Sequence, residues 1–192
     1  MRLPKKFPVA TLVVLVITGI ITSMQLVYPW LLPLLERSPG AISRHEYWRL
    51  FTPMFVHSGG WRQICFNFPA IAIVGWAVEY IYGRYLWLLV YFASGLLGEI
   101  VGYAWQPHGA GASVAGAGLL GALAAWLLFA NRRPGGIFGG LLLLAGAIVL
   151  VVMRDIHGPP VLLGACIALA AAGRSRKTIL QARRQQLKIY TT

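Results

Sequence analysis

Four polar residues stand where long apolar runs leave little room for them: Gln63, Asn67, Ser113 and His157. A polar group in hydrocarbon costs free energy unless it finds a partner, so each is a candidate for chemistry. A serine and a histidine suggest nucleophilic catalysis, because a hydroxyl is a weak nucleophile until a base takes its proton. Ser113 follows Gly109-Ala110-Gly111-Ala112. The two glycines permit an irregular backbone at membrane depth, which is tolerated only where it is buried or lines a water-filled cavity. Ser113 then falls in the N-cap or first turn of a helix, where free amide N–H groups and the dipole stabilise an anion. A lone serine there more often does no more than cap the helix. His157 opens another helix in Asp155-Ile156-His157-Gly158-Pro159-Pro160, whose prolines suit a first helical turn. Taken alone it reads as a loop histidine at the interface. His108, in the loop just before Ser113, is the rival base, while His45 and His57 read as surface residues of an outer loop. Gln63 and Asn67 are four apart and share a helix face. Their carboxamides could donate to a developing oxyanion or simply bind helices together. Glu79 and Glu99 form a second tier of polar residues inside apolar runs.

The elements that must carry these residues are membrane spans. Charges and turn residues cut the chain into apolar runs at about 8–28, 62–82, 85–105, 113–130, 135–153 and 159–173. A helix needs roughly 20 apolar residues to cross hydrocarbon, and the chain has room for six such spans. Between the first two lies a long loop rich in aromatics and charges, including Tyr47-Trp48-Arg49-Leu50-Phe51. Trp and Tyr beside charges favour the headgroup level, so this loop is expected on or partly in the outer leaflet. Ser113, Ala117, Gly121 and Ala125 give the fourth span a face of small residues, and Gly164, Ala168 and Ala172 do the same for the sixth. Small faces let helices approach closely. Packing these two together brings Ser113 near His157, a nucleophile beside a base with no third member required.

Composition agrees. The 192 residues are 58% hydrophobic and 11% charged, with a mean hydropathy of +0.68, where soluble domains carry about 25% charged residues. Six spans and their loops leave no space for a soluble domain. The net charge of +12 raises the question of nucleic acid, which would want basic residues on one folded face. Instead Arg2, Lys5, Lys6, Arg84, Arg132, Arg133 and the 174–188 cluster fall at the ends of apolar runs. That pattern orients helices by the positive-inside rule, with both termini cytoplasmic and Glu46 and Asp155 outside. A bacterial inner membrane is the expected location, with residues 174–192 as a basic cytoplasmic tail. The uncharged 7–35 stretch is too long for a signal peptide and reads as an uncleaved first span. Cys65 and Cys166 lack metal-ligand spacing and read as buried, inert thiols.

With these residues in view, the chain resembles the rhomboid family from about Glu46 to Ala172. Gly111-Ala112-Ser113-Val114-Ala115 and Gly118-Leu119-Leu120-Gly121-Ala122-Leu123 are similar to the family's GASGAxxGLLGAL run. Glu46-Tyr47-Trp48-Arg49-Leu50-Phe51-Thr52 resembles its E-x-W-R-x-x-T loop element. Phe66-Asn67 and Glu79 resemble its HxxxN region and following glutamate, and His157 with Gly164 and Ala168 its histidine helix. The resemblance implies an all-α six-span bundle with a membrane-associated first loop, a single domain over 1–192 with its core at about 46–173. It implies Ser113 as nucleophile, His157 as general base and Asn67 as an oxyanion donor. The implied reaction is peptide hydrolysis in or beside a substrate's transmembrane helix, with no metal or cofactor. Membrane proteins and the lipid bilayer are then the partners, and nucleic acid is not. Three positions depart from the pattern: Gln63 stands where the family has a histidine that helps bind the oxyanion, Val114 where glycine is common, and Pro159-Pro160 where small residues are usual. A weak or inactive relative that binds transmembrane clients is the alternative, although retention of both Ser113 and His157 argues against it. A small transporter would want paired interrupted helices in two halves, and only one such break is present.

Overall fold

The computed structural model describes residues 7–131 and 133–189, with side chains through 173. Arg2, Lys5, Lys6 and Arg132 therefore lie outside the described residues, as do the side chains of the basic 174–188 cluster. The described chain is helical: α1 (Val9–Val27), α2 (Leu31–Leu35), α3 (Gly60–Tyr82), α4 (Arg84–Trp105), α5 (Ser113–Trp126), α6 (Pro134–Val152) and α7 (Gly158–Ile189). Two 3-10 turns, Tyr47–Leu50 and Thr52–Phe55, lie in the first loop, and α5 runs on through a π-turn at Leu127–Asn131. Five helices are long and apolar enough to cross a membrane, and the apolar part of α7, Gly158–Gly173, is a shorter sixth. At about 1.5 Å per residue, helices of 19 to 23 residues span the roughly 30 Å of a hydrocarbon core. The expected breaks fall within a residue or two of those observed, except that the sixth helix continues through the supposed tail to Ile189.

Helix α5 is the axle. Half of its apolar window is buried, against 11% for α6. Its most extensive neighbour is α7, followed by α4. Absent side chains make the α5–α7 contact possible. A Cβ on Gly121 would lie 1.8 Å from the Val161 carbonyl oxygen, and one on Gly164 would lie 1.9 Å from that of Gly118. The expected small faces thus do meet, although Ala172 is exposed and takes no part. By contrast α1 and α6 turn Val16, Ile20, Phe138, Leu142 and Val152 outward, the arrangement lipid tolerates.

Helix α1 carries a polar stripe that faces inward: Thr11, Thr18, Thr22 and Gln25 are all buried. At one end of the bundle, Glu79 accepts the Ala10 and Thr11 amide N–H groups at 2.9 and 2.8 Å and the Thr11 hydroxyl at 2.8 Å. A carboxylate from α3 therefore satisfies the free amides that open α1 and meets its positive dipole end. At the other end, Gln25 clasps the backbone of His57 through its N–H and C=O, both at 2.8 Å, and Thr22 meets the His57 ring at 3.1 Å. His57 is thus fully buried rather than a surface residue. Burial pushes its imidazole down to about 4, which keeps it neutral. Cys65 and Cys166 correct the expectation in the opposite sense, since both are exposed on helix surfaces.

The first loop is folded by side chains bonding to carbonyls. The buried Arg49 guanidinium donates to the Pro33 and Glu36 carbonyls at 2.7 and 2.6 Å, and Thr52 donates to that of Leu35 at 2.6 Å. Glu46 accepts from both Arg44 and Arg49. The Arg44 guanidinium, with Arg49 beside it, holds this carboxyl below its usual range. Irregular backbone near a membrane needs such partners.

Candidate active site

The segment before Ser113 is an extended strap pinned on every side. Gly109, at φ 129° where an L side chain is strained, exchanges both backbone bonds with Arg37 at 3.0 and 3.3 Å. Ala110 donates its N–H to Ser58 Oγ at 3.0 Å, and its carbonyl accepts from Gln63 Nε2 at 2.9 Å. Gly111 N–H donates to the Pro53 carbonyl at 2.9 Å. Beneath the strap, the fully buried Arg37 pairs with Glu99 and donates Nε–H to the Gln106 carbonyl at 2.8 Å. One membrane-embedded glutamate thus anchors the loop that presents the serine.

Ser113 is the first residue of α5, after Ala112 as N-cap, and its side chain makes no capping bond. The hydroxyl instead meets His157 Nε2 at 3.0 Å, across 44 residues of chain. The other imidazole nitrogen, Nδ1, lies 2.6 Å from Asp155 Oδ1, which also accepts the His157 amide N–H at 2.9 Å. Burial tends to raise the Asp155 carboxyl, but the His157 amide and imidazole outweigh it and hold the group below the usual carboxylate range. His108, the rival base, is exposed on the rim of the site.

Two cavities meet at Ser113 and His157. One of about 180 Å³ is polar on its far side, with Arg37, Ser58, Gln63 and Gln106. The other, about 300 Å³, is walled by apolar side chains such as Phe66, Ile71, Leu120, Leu150 and Val161. Asn67 belongs to the second. It is buried, and its Nδ2 has no partner among the described residues, so it is a donor awaiting an acceptor. Gln63 is occupied: its oxygen accepts the Gly59 N–H at 2.8 Å while Nε2 donates to Ala110, leaving one N–H free. Glu79 is at the far end, capping α1, and Glu99 acts only through Arg37. Among the described residues, no three His, Cys, Asp or Glu side chains are grouped to hold a metal ion.

Sequence reasoning passed over Asp155, Arg37 and Ser58 as contributors. Asp155 had a signal, an acidic residue two positions before the candidate base, where an i+2 amide can be accepted. Arg37 and Ser58 had none, because their contacts bridge 62 and 52 residues.

A family model described as "Rhomboid domain" matches residues 44–174. Relatives include "Rhomboid protease GluP" of Bacillus subtilis (strain 168), 42% identical over 93 residues, or 48% of this chain and 18% of that protein. "Putative rhomboid protease YdcA" of the same organism is 37% identical over 98 residues, 49% of this chain and 48% of that protein. "Rhomboid-like protease 3" of Toxoplasma gondii is 33% identical over 87 residues, 44% and 33% of the two chains. The matches span less than half the length of each of these relatives.

Proposed function

The chain belongs to the rhomboid family, and on that premise we propose that it is an intramembrane serine endopeptidase. It hydrolyses peptide bonds in or next to transmembrane segments of membrane-protein substrates, as a single domain lying in a bacterial inner membrane with both termini cytoplasmic. The observation that carries this reading is the 3.0 Å contact of Ser113 Oγ with His157 Nε2 where the two cavities meet.

The chemistry follows from the geometry. His157 Nε2 takes the Ser113 proton as Oγ attacks the carbonyl carbon of the substrate. The tetrahedral oxyanion lies at the start of α5, where the Ser113 amide has no intrahelical acceptor. Asn67 Nδ2 and the spare N–H of Gln63 supply further donors. Collapse breaks the C–N bond, and the histidine returns its proton to the leaving amine. Water from the polar cavity, deprotonated by His157, then attacks the acyl-enzyme ester; the C–O bond to Ser113 breaks, His157 returns the proton to Oγ, and the acid leaves. The apolar cavity receives part of a transmembrane helix.

The test is cleavage of a fluorogenic transmembrane substrate by purified protein in detergent, with covalent labelling by a fluorophosphonate. Wild type should cleave and label. Ser113→Ala and His157→Ala should do neither, and His108→Ala should do both. Cleavage by Ser113→Ala would refute the proposal, and a wild type that binds substrate without cutting would make the protein a client-binding relative.

A further inference from the structure

Resting on that reading, we infer that Asp155 is a positioning residue for the base, holding His157 in the orientation and tautomer that the Ser113–His157 dyad needs. One carboxylate oxygen receives two groups of the same histidine, Nδ1 at 2.6 Å and the backbone N–H at 2.9 Å. The carboxylate is itself held in place. The Asp155 amide donates to the Leu150 carbonyl at 2.8 Å, which ties it to the end of α6. The next residue, Ile156, is buried, and a Cβ on Gly158 would come within 2.8 Å of the Ala147 carbonyl oxygen and the Val151 nitrogen. The turn cannot shift without disturbing α6.

The consequence is chemical. A carboxylate against Nδ1 accepts an N–H, so the proton resides on Nδ1 and the Nε2 lone pair faces the Ser113 hydroxyl. When Nε2 takes that proton, the fixed negative charge stabilises the imidazolium. Without it, the imidazole is held by Ser113 alone and is free to adopt the other tautomer, which presents a useless N–H to the hydroxyl. The plainer role for Asp155 is a local turn, its oxygen accepting the amide two residues on as many aspartates do before a helix.

Asparagine separates the two. Asp155→Asn keeps an oxygen for the His157 amide and so keeps the turn, but removes the charge and can donate to Nδ1. Turnover, KM and the thermal midpoint are measured on the full-length protein in detergent beside wild type and Asp155→Ala. The expected result for Asp155→Asn is kcat lower by about ten- to a hundredfold, with KM within about twofold and the midpoint unchanged. Fluorophosphonate labelling should slow by the same factor. Asp155→Asn turning over at the wild-type rate overturns the inference while leaving the protease standing, including when Asp155→Ala is impaired, since that pattern reports the turn alone. A wild type that neither cleaves nor labels overturns both.

Discussion

Single atoms divide the two carboxamides that the sequence places side by side. Four-residue spacing puts Gln63 and Asn67 on one face of α3, and from spacing alone they are equivalent. In the structure, Gln63 is stretched between the Gly59 amide and the Ala110 carbonyl, whereas Asn67 Nδ2 is buried and unpartnered among the described residues. Different losses follow. Asn67→Ala should lower kcat by about 10² to 10³, the usual effect of removing one oxyanion donor, with little change in KM or unfolding midpoint. Gln63→Ala should lower the midpoint as well as the rate, because it also releases the strap carrying Ser113, and Gln63→His should recover part of each. Kinetics and thermal unfolding on the same preparations check this, and equal, purely kinetic losses would show that Gln63 is a donor first. The contact between Ser113 and His157 and the buried place of Asn67 could be anticipated because a polar atom in or beside an apolar run must find a partner. The role of Asp155 could not, because an acid in an outer loop has one already, namely water. His57 was misread for the opposite reason: its burial depends on Thr22 and Gln25 of α1, and only tertiary packing brings those residues together with it.

Helix limits were legible from punctuation, since arginines, prolines and glycines at the ends of apolar runs mark where hydrocarbon stops. Which helix lies at the centre was harder to read. In water the buried face of a helix is its apolar one, but in lipid every face is apolar and the contrast disappears. What remains is size: α5 reads Ser-Val-Ala-Gly-Ala-Gly-Leu-Leu-Gly-Ala-Leu-Ala-Ala-Trp, and its small residues admit the backbone of α7. Ala172 shows the limit of that signal, because it continues the spacing of Gly164 and Ala168 but is exposed. Substitution should tell the two ends of this face apart. Gly164→Ala puts a methyl 1.9 Å from the Gly118 carbonyl oxygen. Overpacking of that kind costs about 1–3 kcal/mol or more. Since Ser113 begins α5 and His157 directly precedes α7, activity should fall with stability. Ala172→Leu, a larger change at an exposed site, should leave both near wild type. Midpoints and cleavage rates decide it, and a well-folded, active Gly164→Ala would mean that the two helices separate at little cost.

Taken whole, the molecule is polarised from end to end. Ser113, His157, Asp155, Asn67 and the first loop gather at one end, while Glu79, Arg84 and Arg133 mark the other. At the site end Arg37 pairs with Glu99, and Arg44 and Arg49 share Glu46, while Arg62 and Arg154 are exposed and form no ion pair among the described residues. Arg84 and Arg133 are exposed and form no ion pair among the described residues. The basic 174–188 cluster belongs by sequence to that same end. Lys and Arg near the ends of spans are retained on the cytoplasmic side, so the Arg84 end should face the cytoplasm and the end bearing Ser113 and His157 should open outward. Reporter fusions after Arg84 and after Arg133 should both report cytoplasm. A complementary measurement reads the opposite end. His108 is exposed at the mouth of the polar cavity, so His108→Cys should react with a membrane-impermeant thiol reagent added outside intact cells. Cys65 and Cys166 must first be replaced by alanine, because both are exposed and Cys65 lies near the site end of α3. His108 is outside the proposed dyad, so cleavage by the same variant shows that the labelled protein is folded. Labelling only after the membrane is opened, or a reporter placing Arg84 outside, would invert the topology and put the Ser113 end in the cytoplasm.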